Sequence, residues 1–206
     1  MASDFRSARF WASELIEDAL FEGAHAVDAT LGNGHDALRL CELVGETGHV
    51  TGFDIQSEAV SRSQTRLDAA GFHERARLIC AGHERMLEYL APESVDAVVF
   101  NLGWLPGAEH AVTTQTETTL RAVSAALDVL REDGLLTICV YPGHAEGSRE
   151  RDALLNWARK LDPARFDATL KCYLNQNNDP PLLIAVKKNR TRKQRLPRSE
   201  GATKGF

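Results

Sequence analysis

The 206-residue sequence predicts an α/β fold in which seven strands form one mostly parallel sheet with an antiparallel end strand, covered by helices on both faces. Three observations carry this expectation. Strand-like and helix-like segments alternate along the chain, the pattern of parallel strands joined by crossover helices. DAVVFNL (96–102) and LLTICVY (135–141) are nearly continuous apolar runs, as required of central strands buried on both faces. The last two apolar runs, FDATLKCYL (166–174) and PLLIAVK (181–187), are separated only by NQNNDPP, too short for a crossover helix, so they must pair antiparallel.

A first helix reads from about Phe10 to Phe21, with Phe10, Leu15, Ala19 and Leu20 on a broad apolar side. HAVDAT (25–30) is a short strand, and the loop LGNGH opens a helix from Asp36 to Val44. HVTGFDI (49–55) is the second strand, and Ser57 to Ala70 is a helix closed by Gly71. RARLIC (75–80) is the third strand and DAVVFNL the fourth. A polar loop from Gly103 to about Gln115 then delays the helix Thr116–Arg131 for longer than packing requires, which marks it as a candidate functional segment. LLTICVY is followed by the loop PGHAEG (142–147), a helix from Ser148 to Lys160 and the final strand pair. Neither a repeat nor a linker is visible, so residues 1–188 read as one domain and 189–206 as a basic tail.

With 43% hydrophobic and 26% charged residues, the composition is that of a soluble globular protein. No run approaches the roughly 20 apolar residues of a membrane span, and MASDFRSARFWASELI lacks a signal-peptide core, so a cytoplasmic protein without membrane association is expected. Cys41, Cys80, Cys139 and Cys172 are far apart among apolar neighbours and read as buried free thiols; the histidines show no metal-binding spacing, so no metal is expected. A net charge of −5 argues against a protein that coats nucleic acid by charge alone. From Lys187 onward, however, Lys187, Lys188, Arg190, Arg192, Lys193, Arg195, Arg198 and Lys204 face only Glu200. This tail reads either as a phosphate-contacting arm or as a solvated, disordered end.

DATLGNGHD (28–36) sits where a strand hands over to a helix, the place where open α/β sheets bind ligands. Gly32 and Gly34 permit a tight turn and let a ligand lie against bare backbone. Asp54 in GFDIQ, some 20 residues beyond the glycines and followed by Ile55, is placed to accept hydrogen bonds from ribose hydroxyls. The loop is not GxGxxG, which argues against a dinucleotide. It suits a cofactor with a zwitterionic tail and no phosphate, S-adenosylmethionine, with Asp28 holding the ammonium and Thr30 and Asn33 supplying polar contacts. Gly82 and His83, after the third strand, reach the adenine edge, with His83 or Glu84 on the base; the alternative for His83 is a surface residue starting a helix.

The fourth strand ends in NLGWLPG (101–107), where Asn101 is the candidate catalytic residue, holding a nucleophilic nitrogen near the methyl donor. Otherwise Asn101 caps the loop. Trp104 either stacks on a base or anchors the loop by packing. Tyr141 and His144 in YPGH converge on the same edge, His144 as a proton acceptor or phosphate contact. Asn175, Gln176, Asn178 and Asp179 in NQNNDPP either read a base edge or only shape the turn.

In this order, DATLGNGHD, GFDIQ, FNLGWLPG, VTTQTETTL, VYPGHAEG and NQNNDPP resemble the rRNA-methylase family that includes the tRNA 5-aminomethyl-2-thiouridine methyltransferases, from about Ala24 to Lys188. The resemblance implies a Rossmann-like class I methyltransferase fold, S-adenosylmethionine as cofactor, and methylation of the 5-aminomethyl group of wobble uridine U34 in a tRNA anticodon loop. It carries onto Asp28, Thr30, Gly32, Asn33, Gly34 and Asp54 for the cofactor, and onto Asn101, Leu102, Gly103, Leu105 and Pro106 for the acceptor. Trp104 stands where the family usually has Tyr, and Pro142-Gly143-His144 where it has His-Gly-His, which removes one imidazole. The basic tail extends past the family's usual end. Ribosomal RNA, protein and small amines are alternative acceptors, and a non-catalytic RNA-binding protein of this fold is the alternative outside enzymes. An acidic monomer would need a second subunit to assemble a wide basic surface, so a homodimer is a further expectation.

Overall fold

The computed structural model describes residues 7–103, 115–143 and 145–190. The helix α1 (Ala8–Ala19) leads into β1 (His25–Asp28), α2 (His35–Val44), β2 (His49–Asp54), α3 (Ser57–Ala69) and β3 (Ala76–Cys80). A 3-10 turn (His83–Glu88) precedes β4 (Val95–Leu102), α4 (Thr116–Val129), β5 (Leu130–Val140), α5 (Ala145–Arg159), β6 (Phe166–Lys171) and β7 (Leu182–Lys188). The seven strands lie in the order β3-β2-β1-β4-β5-β7-β6. β7 is antiparallel to both β5 and β6, and the other ladders are parallel.

Two apolar layers flank the sheet. On one face α1, α2 and α3 press Trp11, Leu40, Cys41 and Leu67 against Ala26, Val50, Val99 and Leu183. On the other, Met86 of the 3-10 turn, Val123 and Ala126 of α4 and Leu154 of α5 pack on Phe53, Phe100, Ile138 and Ile184. In α1 the buried positions Ala8, Trp11, Ala12 and Ile16 make a helical stripe, and Ser7 Oγ caps its start by accepting the Phe10 amide at 3.3 Å.

The chain runs outward from β1 to β2 and β3, then returns to place β4 on β1's other side, so the strand order reverses between β1 and β4. A crevice opens at such a point outside the carboxyl ends of the strands. The pairing Val140↔Leu182 brings the β6–β7 loop to the same edge.

Several expected boundaries move. α1 starts at Ala8 and α5 at Ala145, earlier than the apolar periodicity suggests, while β1 ends at Asp28. β5 starts at Leu130, not Leu135: Val95 pairs with Leu130 and Ala97 with Leu135, so the polar residues 131–134 form an irregular step that carries no strand signal in the sequence. β6 stops at Lys171 because its partner strand starts only after Pro180 and Pro181, which have no N–H to give a ladder. Lys188, inside the expected domain but counted with the basic stretch that reads as a phosphate-contacting arm or a solvated end, is buried at the end of β7: its Nζ donates to the carbonyls of Leu127 at 3.2 Å and Leu130 at 2.6 Å, closing α4, and pairs with Glu93 at 3.2 Å. Next to it, Asn189 N donates to Arg165 O and Arg190 pairs with Asp133; residues 191–206 lie outside the described chain. Cys41 and Cys139 are buried, but Cys80 and Cys172 are exposed, because they end or follow the two edge strands.

Candidate active site

The loop after β1 is drawn toward its neighbours by side chains. Asp28, at the end of β1, is fully buried; its Oδ1 accepts the Thr30 amide at 3.1 Å and its Oδ2 has no hydrogen-bond partner. Burial, then the nearby charge of Asp36, pushes its carboxyl well above the ordinary carboxylate range, while the backbone amides of Thr30 and Ala37 only partly offset this. Gly32 N donates to Asp54 Oδ2 at 2.9 Å, and Asp54 Oδ1 accepts the amide of Gln56 at 2.9 Å. Asp54 therefore ties the glycine loop to the start of α3 and keeps lone pairs for a ligand.

Gly34 caps α2 in the left-handed conformation at φ 73°, and a Cβ there would lie 2.7 Å from Ser63 Oγ. Both facts exclude a side chain. Ser63 itself donates to Gly32 O at 3.0 Å. Asn33, expected to face the cofactor, is held from behind: Arg62 Nε donates to its Oδ1 at 3.1 Å and Arg66 Nε to its carbonyl at 2.8 Å. Ile55 is 63% exposed, an apolar side chain standing open directly after Asp54.

His83 starts the 3-10 turn, but it is not the surface residue of the alternative reading. Its Nδ1 lies 3.1 Å from Ala29 O, its ring packs against Phe100, and burial lowers its pKa. With Nδ1–H donating to that carbonyl, Nε2 of a neutral ring is the acceptor. Gly82 leaves room for Glu84, whose carboxylate would meet a Cβ at 2.3 Å.

At the end of β4, Asn101 N donates to Thr30 Oγ1 at 2.7 Å, and Asn101 Nδ2 donates to Asp36 Oδ2. Asn101 Oδ1 is buried and has no partner. Asp36 Oδ1 is in turn held by Arg9 Nη2 at 2.6 Å. Tyr141 rises beside Gly103 at the end of β5; burial pushes its phenol up to about 12. Asn175, Gln176, Asn178 and Asp179 are exposed in the β6–β7 loop, and Asp179 pairs with Arg151 of α5 at 2.8 Å. Trp104, Leu105, Pro106 and His144 lie outside the described residues.

The structure thus gathers Asp28, Thr30, Gly32, Gly34, Asp54, His83 and Asn101 at one sheet edge. Sequence reasoning did not single out Asp36 and Arg9. Asp36 was visible as the acidic residue of α2's first turn, but Arg9, 27 residues upstream, carries no local signal of its partner. Two grooves on the surface lie elsewhere, one of about 540 Å³ between the 3-10 turn and α4, the other of about 280 Å³ between α1 and β6. Among the described residues, no cluster suits a metal and no helix is long and apolar enough to cross a membrane.

The family model described as "Putative rRNA methylase" matches residues 50–187. The chain belongs to this family. It is 36% identical over 182 residues to the Arabidopsis thaliana protein "tRNA (mnm(5)s(2)U34)-methyltransferase, chloroplastic", an overlap of 84% of this chain but only 66% of that protein. A solved rRNA-methylase family structure from Clostridium thermocellum superposes with TM-score 0.86 at 36% identity, covering 89% of this chain and 98% of that one. A Streptococcus mutans protein described as "a putative methyltransferase", solved in complex with SAH, superposes with TM-score 0.80 at 33% identity, over 89% of this chain and 99% of that one. The fold expected from the sequence, a class I methyltransferase sheet, is the fold of this family.

Proposed function

We propose that this chain is an S-adenosylmethionine-dependent methyltransferase that acts on RNA, and that its acceptor is the 5-aminomethyl group of the wobble uridine of tRNA. The observation that carries the reading is a pair of orphaned acceptors on adjacent strands. Asp28 Oδ2 and Asn101 Oδ1 are both buried without partners, and Asp28 stands opposite Val99 in the β1–β4 ladder, two residues before Asn101. Buried oxygens without partners are costly, so ligands that bring an N–H group to each are favoured.

The residues fit the cofactor. Asp28 suits the ammonium of its amino-acid end, the Gly32–Gly34 backbone leaves room beside it, Asp54 accepts from ribose hydroxyls, and Ile55 offers an apolar surface to the adenine. When bound, the cofactor supplies an electrophilic methyl group. Asn101 Oδ1 accepts an N–H from the acceptor amine and so turns the nitrogen lone pair toward that methyl; alignment is the main catalytic term for such a transfer. The amine reacts unprotonated, and its surplus proton leaves to solvent after methylation. The Arabidopsis relative, whose name specifies this uridine, and the SAH complex of the Streptococcus mutans neighbour support acceptor and cofactor.

The test is mass spectrometry of nucleosides from tRNA that carries unmethylated 5-aminomethyl-2-thiouridine, after incubation with the full chain and S-adenosylmethionine. A gain of one methyl on that nucleoside is the expected result. Cofactor binding with no gain there would overturn the wobble-uridine acceptor and direct the search to ribosomal RNA.

A further inference from the structure

The amide of Asn101 is chemically two-faced: one end only donates and the other only accepts. Which end meets the acceptor amine decides whether Asn101 helps or repels it, since an N–H facing the nitrogen would compete for the lone pair that must attack. Asp36 settles this choice. The amide nitrogen faces Asp36 and donates to its Oδ2, which leaves Oδ1 as the buried atom without a partner, free to meet the acceptor. Asp36 is itself held at its other oxygen by Arg9 of α1 at 2.6 Å, and Thr30 Oγ1 fixes the Asn101 backbone amide at 2.7 Å. The β1 loop therefore holds the backbone of Asn101, and α2, itself braced by α1, holds its side chain.

We propose that Asp36, braced by Arg9, is a positioning residue that locks the Asn101 amide with its oxygen toward the acceptor nitrogen. The inference rests on the amine-methylation reading above. Asp36 does not touch the reacting atoms; it acts through Asn101. Losing it lets the amide rotate between two orientations, only one of which is productive, and removes the partner that holds Nδ2.

The test compares full-length wild type with Asp36→Ala, Asp36→Asn and Arg9→Gln. Single-turnover methyl transfer is measured at saturating cofactor and amine-bearing tRNA, cofactor Kd by calorimetry, and the Asn101 side-chain amide by 15N NMR of the SAH-bound protein. Asp36→Ala is expected to slow transfer about 10- to 100-fold with cofactor Kd within about threefold of wild type or tighter. Asp36→Asn, whose amide oxygen can accept the same N–H, recovers most of the rate, and Arg9→Gln falls between. The Asn101 amide resonances shift in Asp36→Ala and return toward wild type in Asp36→Asn. The proposal is overturned if Asp36→Ala transfers at the wild-type rate, if Asp36→Asn is as slow as Asp36→Ala, or if the Asn101 amide resonances do not respond. A wild-type chain that transfers no methyl to the amine would overturn the amine reading instead, while the amide resonances would still decide whether Asp36 orients Asn101.

Discussion

Asp28 is held in a state that costs the empty protein stability. Its folded pKa lies above its unfolded value because burial, and then Asp36, disfavour the charge. The native state therefore binds more protons than the unfolded chain across the window between those values. This group's contribution is fully present below the ordinary carboxylate pKa of about 3.9 and is lost as pH rises through the raised folded value. An ammonium placed on Oδ2 reverses the preference, so cofactor binding near the raised pKa should release a proton. Calorimetry in two buffers of different ionisation enthalpy should give binding heats that differ accordingly, and equal heats would count against Asp28 as the ammonium partner. Asp28→Asn, which keeps the bond from the Thr30 amide but not the charge, should stabilise the empty protein by about 1 kcal/mol or more at pH 8 to 9 and weaken cofactor binding at least about tenfold. Urea titration and calorimetry on the same variant test both halves. Asp28, Gly32, Gly34 and Asp54 were legible because a motif of fixed spacing spans one strand, one turn and the next strand. Arg9 and Asp36 were not, because their roles exist only through partners 27 and 65 residues away.

Among the elements, α2 depends on how it begins. Gly34 needs a positive φ and leaves no room for a Cβ against Ser63, so Gly34→Ala should cost about 1–3 kcal/mol and disturb the loop that bears Asp54's partner Gly32. Chemical denaturation together with cofactor affinity reads both effects. The α4–α5 contact has a polar side: Thr119 Oγ1 donates to the buried Glu150 Oε1 at 2.6 Å, and Thr116 gives its amide and hydroxyl to Glu146. Thr119→Val keeps the shape and removes the donor; a loss of about 1–3 kcal/mol in urea unfolding is expected, and an unchanged midpoint would show that the bond contributes little. The threonine-rich run thus serves, in part, to join two helices. Strands and helices were legible wherever burial imposes a period, as in DAVVFNL; in α1 the helix was legible but its buried face was not, for Ala8, Trp11, Ala12 and Ile16 form the stripe while Leu15, expected on it, is exposed. Legibility failed where backbone geometry outweighs side-chain pattern: the polar step inside β5, the early stop of β6 before two prolines, and the short 3-10 turn, whose six residues are too few to show a helical period.

At the scale of the molecule, two buried groups at opposite ends of β1 bend the stability curve in opposite directions. His25 starts the strand, stacked on His49 with centroids 3.9 Å apart, and its pKa is lowered from 6.5 to about 4 by burial and then by His49. Its contribution is present above pH 6.5 and disappears as pH falls through about 4, because the unfolded chain then takes up the proton that the folded one refuses. Asp28 acts the other way. Empty protein should therefore lose stability toward acid through His25 and toward mild alkali through Asp28, and SAH should flatten the alkaline side alone; thermal melts from pH 5 to 9 with and without SAH test this. The strand order has a different implication, for synthesis rather than catalysis. β7, made after every other strand of this sheet, is not an edge but the bridge between β5 and β6. Until Lys188 is available, β6 has no neighbour and the β6–β7 loop no place beside the crevice. A chain cut short before that point would lack a middle rather than a margin, so truncated products should remain open and susceptible to proteolysis: β7 acts as a completeness check on the sheet.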